Sequence, residues 1–195
     1  MKLKSLIKEI PLPIRLFLGK ALLFFIAWKI IYNVFLYDSK YLDKPLSTHV
    51  ADCSVLVLNN LSMGGFVAKR EMDSYIFEGG KTTHEISVIY HNNQRVLSIA
   101  NVCNGLELMV LYIGFIICMP SAFKRKVIYI VLGVIILDFV NILRCIGLIY
   151  LREYYHNYFQ FAHHYLFKAI VYTTTLLIWV LYTRKIHLKN ESIPV

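Results

Sequence analysis

The sequence predicts an all-α integral membrane protein: a bundle of about four transmembrane helices, with a small extracytoplasmic helix and a β-hairpin inserted between the first and second spans. Three observations predict it. Of 195 residues, 57% are hydrophobic and 17% charged, whereas a soluble domain is about half apolar and a quarter charged. The apolar residues collect in four blocks, giving a mean hydropathy of +0.56. Basic residues then cluster at alternate connections between those blocks. Barrel strands would need apolar–polar alternation, which the blocks lack, so helices are the expected spanning elements. Residues 1–195 read as a single membrane domain.

Each element follows from its own pattern. A helix needs about 20 apolar residues to cross a hydrocarbon core of ~30 Å. Residues 16–37 meet that need, interrupted by Lys20 and Lys29. This block is aromatic-rich and has no small-residue cleavage site before Asp38, so it reads as a retained span rather than a cleaved signal peptide. Residues 38–102 follow as the extracytoplasmic segment. Between Leu46 and Phe66, the positions Val50, Val55, Leu58 and Leu61 predict a partly amphipathic helix ending at Gly64-Gly65. It would lie on the bilayer surface or pack on neighbouring elements. Two alternating β-rich runs, Glu85–Tyr90 and Arg95–Ala100, flank His91-Asn92-Asn93-Gln94 and predict a hairpin. The second span, 104–119, is the shortest and begins at the membrane surface. The third, 127–151, contains Asp138, Asn141 and Arg144, and the fourth covers 165–183.

The net charge of +9 is distributed as the positive-inside rule requires. Lys2, Lys4, Lys8 and Arg15 flank the first block. Lys124, Arg125 and Lys126 fill the gap between the second and third blocks, and Arg184, Lys185 and Lys189 follow the fourth. Both termini and the 120–126 loop are therefore expected in the cytoplasm. The segment 38–102 carries six Lys/Arg and seven Asp/Glu, with no comparable positive bias. No soluble basic domain exists to bind nucleic acid, so a nucleic-acid partner is not expected. The chain shows neither internal repeats nor low-complexity segments.

This topology brings three chemically useful residues to one outer layer. Cys103 precedes the second helix, and a helix N-terminus or nearby cation favours the thiolate a nucleophile needs. Arg144 lies inside the third span, about seven residues from its outer end, or roughly 10 Å deep. A charge at that depth marks a functional interior or an ion pair holding helices together, with Asp138 or Glu107 as the partner. Asp138, Asn141 and Arg144 recur at three-residue spacing and form one helical stripe. Glu107, one turn below Cys103, could orient either partner. His163 opens the fourth helix and suits general acid–base work near neutral pH. Its neighbour His164 is the fallback, since adjacent helical residues point about 100° apart and cannot both face one site.

Other readings stay in view. Cys103 could pair with Cys53 in an oxidising outer compartment, while Cys118 and Cys145 read as packing residues. His163 and His164 could be boundary residues of a membrane interface. Metal binding through His156, His163 or His164 is disfavoured, because no paired ligand spacing appears. No cofactor is implied. Lys168 could contact an anionic substrate or membrane lipid headgroup, or snorkel outward.

Cys103-Asn104-Gly105 opening one helix, Asn141-Ile142-Leu143-Arg144 inside the next and His163 opening the last resemble the exosortase/archaeosortase family over roughly residues 95–183. The resemblance implies a membrane-embedded cysteine protease/transpeptidase of the bacterial inner membrane, active at its extracytoplasmic face. Its substrates would be secreted proteins with a C-terminal sorting signal: a short motif, a transmembrane helix and a basic tail. Carried over by position, Cys103 would attack the scissile carbonyl, Arg144 would stabilise the oxyanion and His163 would move the proton, with Asn104, Glu107 and Asn141 in support. A thioacyl intermediate would pass to an acceptor or water. The chain has fewer apparent spans than larger members and no attached accessory domain, so a dedicated accessory protein is an expected partner. The competing classes are a non-enzymatic membrane assembly or scaffolding protein and a thiol redox protein using Cys53 and Cys103.

Overall fold

The computed structural model describes residues 12–37, 40–61, 64–77, 80–100 and 103–184. Lys2, Lys4, Lys8, Asp38, Asn101, Val102, Lys185 and Lys189, used above for topology and motif, lie outside the described residues.

The chain begins with α1, Leu12–Ile31, which runs on through a π-helical turn at Tyr32–Leu36. Next comes α2, Asp43–Asn60. Three strands follow, β1 at Phe66–Phe77, β2 at Gly80–His91 and β3 at Gln94–Ile99, forming one antiparallel sheet in the order β1-β2-β3. Then come α3, Leu106–Cys118, and α4, Phe123–Tyr154. The last stretch is α5, His156–Phe161, a π-helical turn at Ala162–Leu166, and α6, Phe167–Thr183.

Helix α4 is the spine, 32 residues long and packed by α2, α3, α5, α6 and β3. Its apolar positions serve two separate cores. Leu137, nearer its start, joins Met109, Tyr112 and Ile116 of α3 and Ile178 and Tyr182 of α6. Ile142, Cys145, Leu148 and Ile149 instead pack against Val50, Ala51 and Leu58 of α2 and against Phe66, Ile89, Val96, Leu97 and Ile99 of the sheet. The helix α2 and the sheet thus form a cap on one end of the bundle. Away from both cores, Val131, Leu132, Ile135 and Phe139 of α4 and Leu176, Leu177, Val180 and Leu181 of α6 are exposed. Apolar surface arranged this way is stable against lipid rather than water.

Several expectations change. Among the described residues, two helices are long and apolar enough to cross a membrane, Phe123–Tyr154 and the continuous helix His156–Thr183. The expected second span is a 13-residue apolar helix, and α1 carries Arg15, Lys20 and Lys29 within its 20 residues. The third helix outruns 127–151 because Arg152 and Glu153 are accommodated at its end. Arg152 lies over the Phe159 ring, and Glu153 meets His91 Nδ1 at 3.3 Å. The cap helix spans 43–60 rather than 46–66 and packs on α4 and the sheet. Its Val50 and Leu58 are buried, but Leu61 lies past the helix end and is exposed.

The hairpin forms as expected. Asn92 and Asn93 take φ of 49° and 66°, the pair of left-handed residues a two-residue hairpin turn requires. Strand β1 is a further partner for β2, pairing Phe66 with His91 through Phe77 with Gly80. Asn59 closes its start, donating to Phe66 O at 3.0 Å and accepting from Phe66 N at 3.1 Å.

Candidate active site

Cys103 lies where the cap meets the bundle, in the short connection between β3 and α3. Its backbone N–H donates to Ala100 O at 2.8 Å, and its carbonyl accepts from Asn141 Nδ2 at 3.4 Å. Gly105 then takes φ +86°, and a Cβ there would sit 3.3 Å from Asn141 Nδ2. Glycine at this position therefore permits both the left-handed turn and the close approach of α4. The Asn104 side chain accepts from Leu106 N at 2.9 Å, satisfying one of the unpaired amides at the start of α3.

Arg144 reaches the thiol from α4. Its Nη2 is 3.6 Å from Cys103 Sγ, and its Nη1 is 3.5 Å from Asn141 Oδ1. Asn141 thereby bridges the cysteine backbone and the guanidinium. The Arg144 Nε is buried with no hydrogen-bond partner among the described residues. A buried unpaired donor is costly and uncommon.

The thiol opens into a cavity of about 730 Å³ between α1, α3, α4 and α6. One part of its wall is polar: Cys103, Glu107, Asn141, Arg144, His163, His164, Lys29 and Lys168. The rest is apolar and aromatic, including Phe24 and Trp28 of α1, Phe115 of α3 and Trp179 of α6. Phe115 and Trp179 stack with centroids 4.3 Å apart. Both histidines line this cavity, which differs from the expectation that only one can. They lie inside a π-helical turn, their ring centroids are 5.0 Å apart, and the cavity is wide enough to take both on its wall. His163 is the more enclosed and stacks on Phe159 with centroids at 5.9 Å. No hydrogen bond joins it to Cys103 among the described residues.

The third-helix stripe divides. Asn141 and Arg144 belong to the cavity, whereas Asp138 turns to the cap and binds His49 Nε2 at 2.9 Å. Glu107 pairs with Lys29 of α1 at 2.7 Å, not with Arg144. Because α4 continues to Tyr154, Arg144 sits ten residues before its end, about 15 Å rather than 10 Å along the axis. His163 lies within the last helix, which starts at His156, and does not open it. All four cysteines are free, and Cys53 Sγ faces His49 Nδ1 at 3.7 Å. Burial, Asp138 and Asp52 push the Cys53 thiol up from its ordinary value.

Two residues of this region are not legible in the sequence. Asp43, at the start of α2, is buried and accepts from Asn104 Nδ2 at 2.8 Å and from Tyr32 Oη at 2.7 Å. Tyr32 lies in the π-helical turn that ends α1. The only available signal was Asn104 itself, a polar residue entering an apolar helix and needing partners. Among the described residues, no three His, Cys, Asp or Glu side chains converge as a metal site requires.

The sequence model of the transmembrane exosortase family matches residues 13–181. No curated protein matches the chain, and no solved structure does.

Proposed function

Since the chain belongs to the transmembrane exosortase family, a membership that points to membrane-embedded, sorting-related transpeptidase activity, we propose that it cleaves C-terminal sorting signals of secreted proteins by cysteine acyl transfer. The supporting observation is the Arg144 guanidinium held 3.6 Å from the Cys103 thiol, on the wall of a cavity that His163 also lines.

The chemistry follows from the residues. The Cys103 thiol yields its proton to the His163 imidazole, through bound substrate or a bridging water since the two side chains are not hydrogen-bonded. The sulfur then attacks the scissile carbonyl carbon. Negative charge gathers on the carbonyl oxygen as the tetrahedral intermediate forms. Arg144, whose charge is fixed before the reaction, stabilises that oxygen. The guanidinium lines the cavity beside the thiol, where the carbonyl oxygen would lie. Collapse breaks the C–N bond, and the departing amine takes its proton from the imidazolium. A thioester to Cys103 remains. An acceptor nucleophile or water attacks it, and the thiol is regenerated.

Asn141 serves as the bracket, because it holds both the Cys103 carbonyl and the guanidinium. Glu107 and Lys29 form an ion pair on the cavity wall, and Asn104 sets the start of α3. The substrate's membrane anchor would use the aromatic part of the cavity, reaching it laterally from the bilayer. On this reading the enzyme resides in the bacterial inner membrane with both termini cytoplasmic and the cap outside. Co-expression with a secreted protein carrying a candidate C-terminal signal tests the proposal. Processed product is expected with the wild type and none with Cys103→Ser.

A further inference from the structure

The residue that follows the thiol, Asn104, is held by a polar network whose other members the proposed chemistry does not use. Asp43 is 1% exposed and Asn104 is 0% exposed. The Asp43 carboxylate accepts from Asn104 Nδ2 at Oδ1, 2.8 Å away, and from Tyr32 Oη at Oδ2, 2.7 Å away. The Asp43 carbonyl takes a further, longer contact of 3.5 Å from the same amide. With its nitrogen on Asp43, the Asn104 side chain keeps its oxygen for Leu106 N at 2.9 Å. Three elements are thus tied at one point: the end of α1, the start of α2 and the start of α3.

Every partner in this chain has a defined sense. Tyr32 and Asn104 both donate, so Asp43 must accept at both oxygens. Such a buried network is stabilising only when each member is satisfied, and a half-satisfied one is costly. Its hydrogen bonds, among the described residues, run to neither Arg144 nor His163. It borders the thiol residue directly, since Asn104 is the next residue after Cys103. The same network links Tyr32, which packs beside Trp28 with centroids at 5.7 Å, to the cavity wall that Trp28 helps form.

We propose that Asp43 and Tyr32 are positioning residues for the nucleophile: through Asn104 they fix the Cys103-Asn104-Gly105 turn, so that the thiol meets Arg144. This rests on Cys103 being the reactive thiol. The network selects the side-chain flip of Asn104 and locks the turn in the direction of α4. Misplacing a reacting atom by about 1 Å costs roughly 100-fold in rate. Asp43→Asn replaces two charge-assisted bonds with neutral ones and makes the Tyr32 hydroxyl turn to accept, which loosens the turn.

The test uses the full chain in detergent with Cys53, Cys118 and Cys145 replaced by alanine, so that iodoacetamide reports on Cys103 alone. Its alkylation rate is measured at one pH, beside processing of a signal-bearing protein by the same variants. Asp43→Asn is expected to change the alkylation rate at least threefold, as the thiol turns away from Arg144, and to lower kcat roughly 10- to 100-fold with little change in KM. Tyr32→Phe, a milder change, should move both in the same direction and less far.

The exchange variant Asp43→Asn with Asn104→Asp decides the matter. Asn at 43 donates to Asp at 104 and accepts from Tyr32, while Asp at 104 still accepts from Leu106 N. All three bonds are restored, so kcat should recover at least tenfold over Asp43→Asn. If Asp43→Asn and Tyr32→Phe both fold, alkylate like the wild type and keep its kcat, the positioning role is wrong. If Cys103→Ser still processes substrate, the proposed function falls instead, and the alkylation rate reports on Asp43 independently.

Discussion

Arg144 Nη2 stands 3.6 Å from Cys103 Sγ, although 41 residues separate them in the chain. The contact crosses the seam between the two cores of α4. Leu137 lies in the bundle core below it and Ile142 and Cys145 lie in the cap core above. The helix that carries Arg144 is thus held by two apolar packings, and Asn141 ties the guanidinium to the cysteine carbonyl. A site built in this way is set before substrate arrives, as electrostatic stabilisation of a transition state requires.

Arg144→Lys is expected to retain protein near wild-type levels and to reduce processing about 100- to 1,000-fold. Lysine keeps the charge but loses the planar fork that spans Asn141, the thiol and the substrate oxygen. Quantifying processed against unprocessed substrate, normalised to enzyme level, measures it. Processing within threefold of wild type would remove Arg144 from the mechanism.

The two histidines separate by substitution. His163→Ala should abolish processing, while His164→Ala should retain activity within roughly tenfold, since general acid–base catalysis contributes about 100- to 10,000-fold. Equal losses in the two variants would mean that the pair acts jointly at the cavity wall.

Gly105→Ala forces a side chain into the left-handed region, at about 1–2 kcal/mol, and presses on Asn141. A lower thermal midpoint in detergent is expected together with reduced processing. Alanine at Gly64, which has open space around it, serves as the control.

The cap should be acid-sensitive. Hydrogen bonds and charge from Arg70 and Lys44 hold the Glu85 carboxyl down at about 2 against an ordinary value of 4.5. A depressed carboxylate contributes stability above the unfolded value and loses it as pH falls. The wild-type thermal midpoint should therefore drop between pH 4.5 and 2 by more than that of Glu85→Gln. Parallel curves for the two proteins would show that Glu85 does not couple the sheet to α2.

The thiol redox reading makes a contrary forecast. A Cys53–Cys103 bridge would shift mobility on alkylation with and without reductant, and Cys53→Ala would stop activity. The free thiols and the distinct surroundings of Cys53 lead us to expect no shift and continued processing.

What the sequence made legible follows from period and length. Four apolar blocks, with one rise of 1.5 Å per residue, suffice to bring Cys103, Arg144 and His163 toward one region, and Asn92-Asn93 marks the hairpin without ambiguity. Other features depend on contacts that no local pattern encodes. Strand β1 carries Lys69, Arg70, Glu71 and Asp73 in succession, which hides its pairing with β2. Asp43 is one acid among seven in its segment, and only the fold buries it against Asn104. That His163 and His164 both line the cavity depends on its width, which no local pattern encodes. Asp138 shares the spacing of Asn141 and Arg144, yet the cap supplies His49 and draws it away.

The most direct measurement is mass spectrometry of the full-length protein incubated with a signal-bearing substrate and quenched with acid. A thioester between the substrate's cleaved segment and Cys103 is expected, released by hydroxylamine and absent in Cys103→Ala. Normal substrate processing by Cys103→Ala, with no adduct on the wild type, would contradict the account.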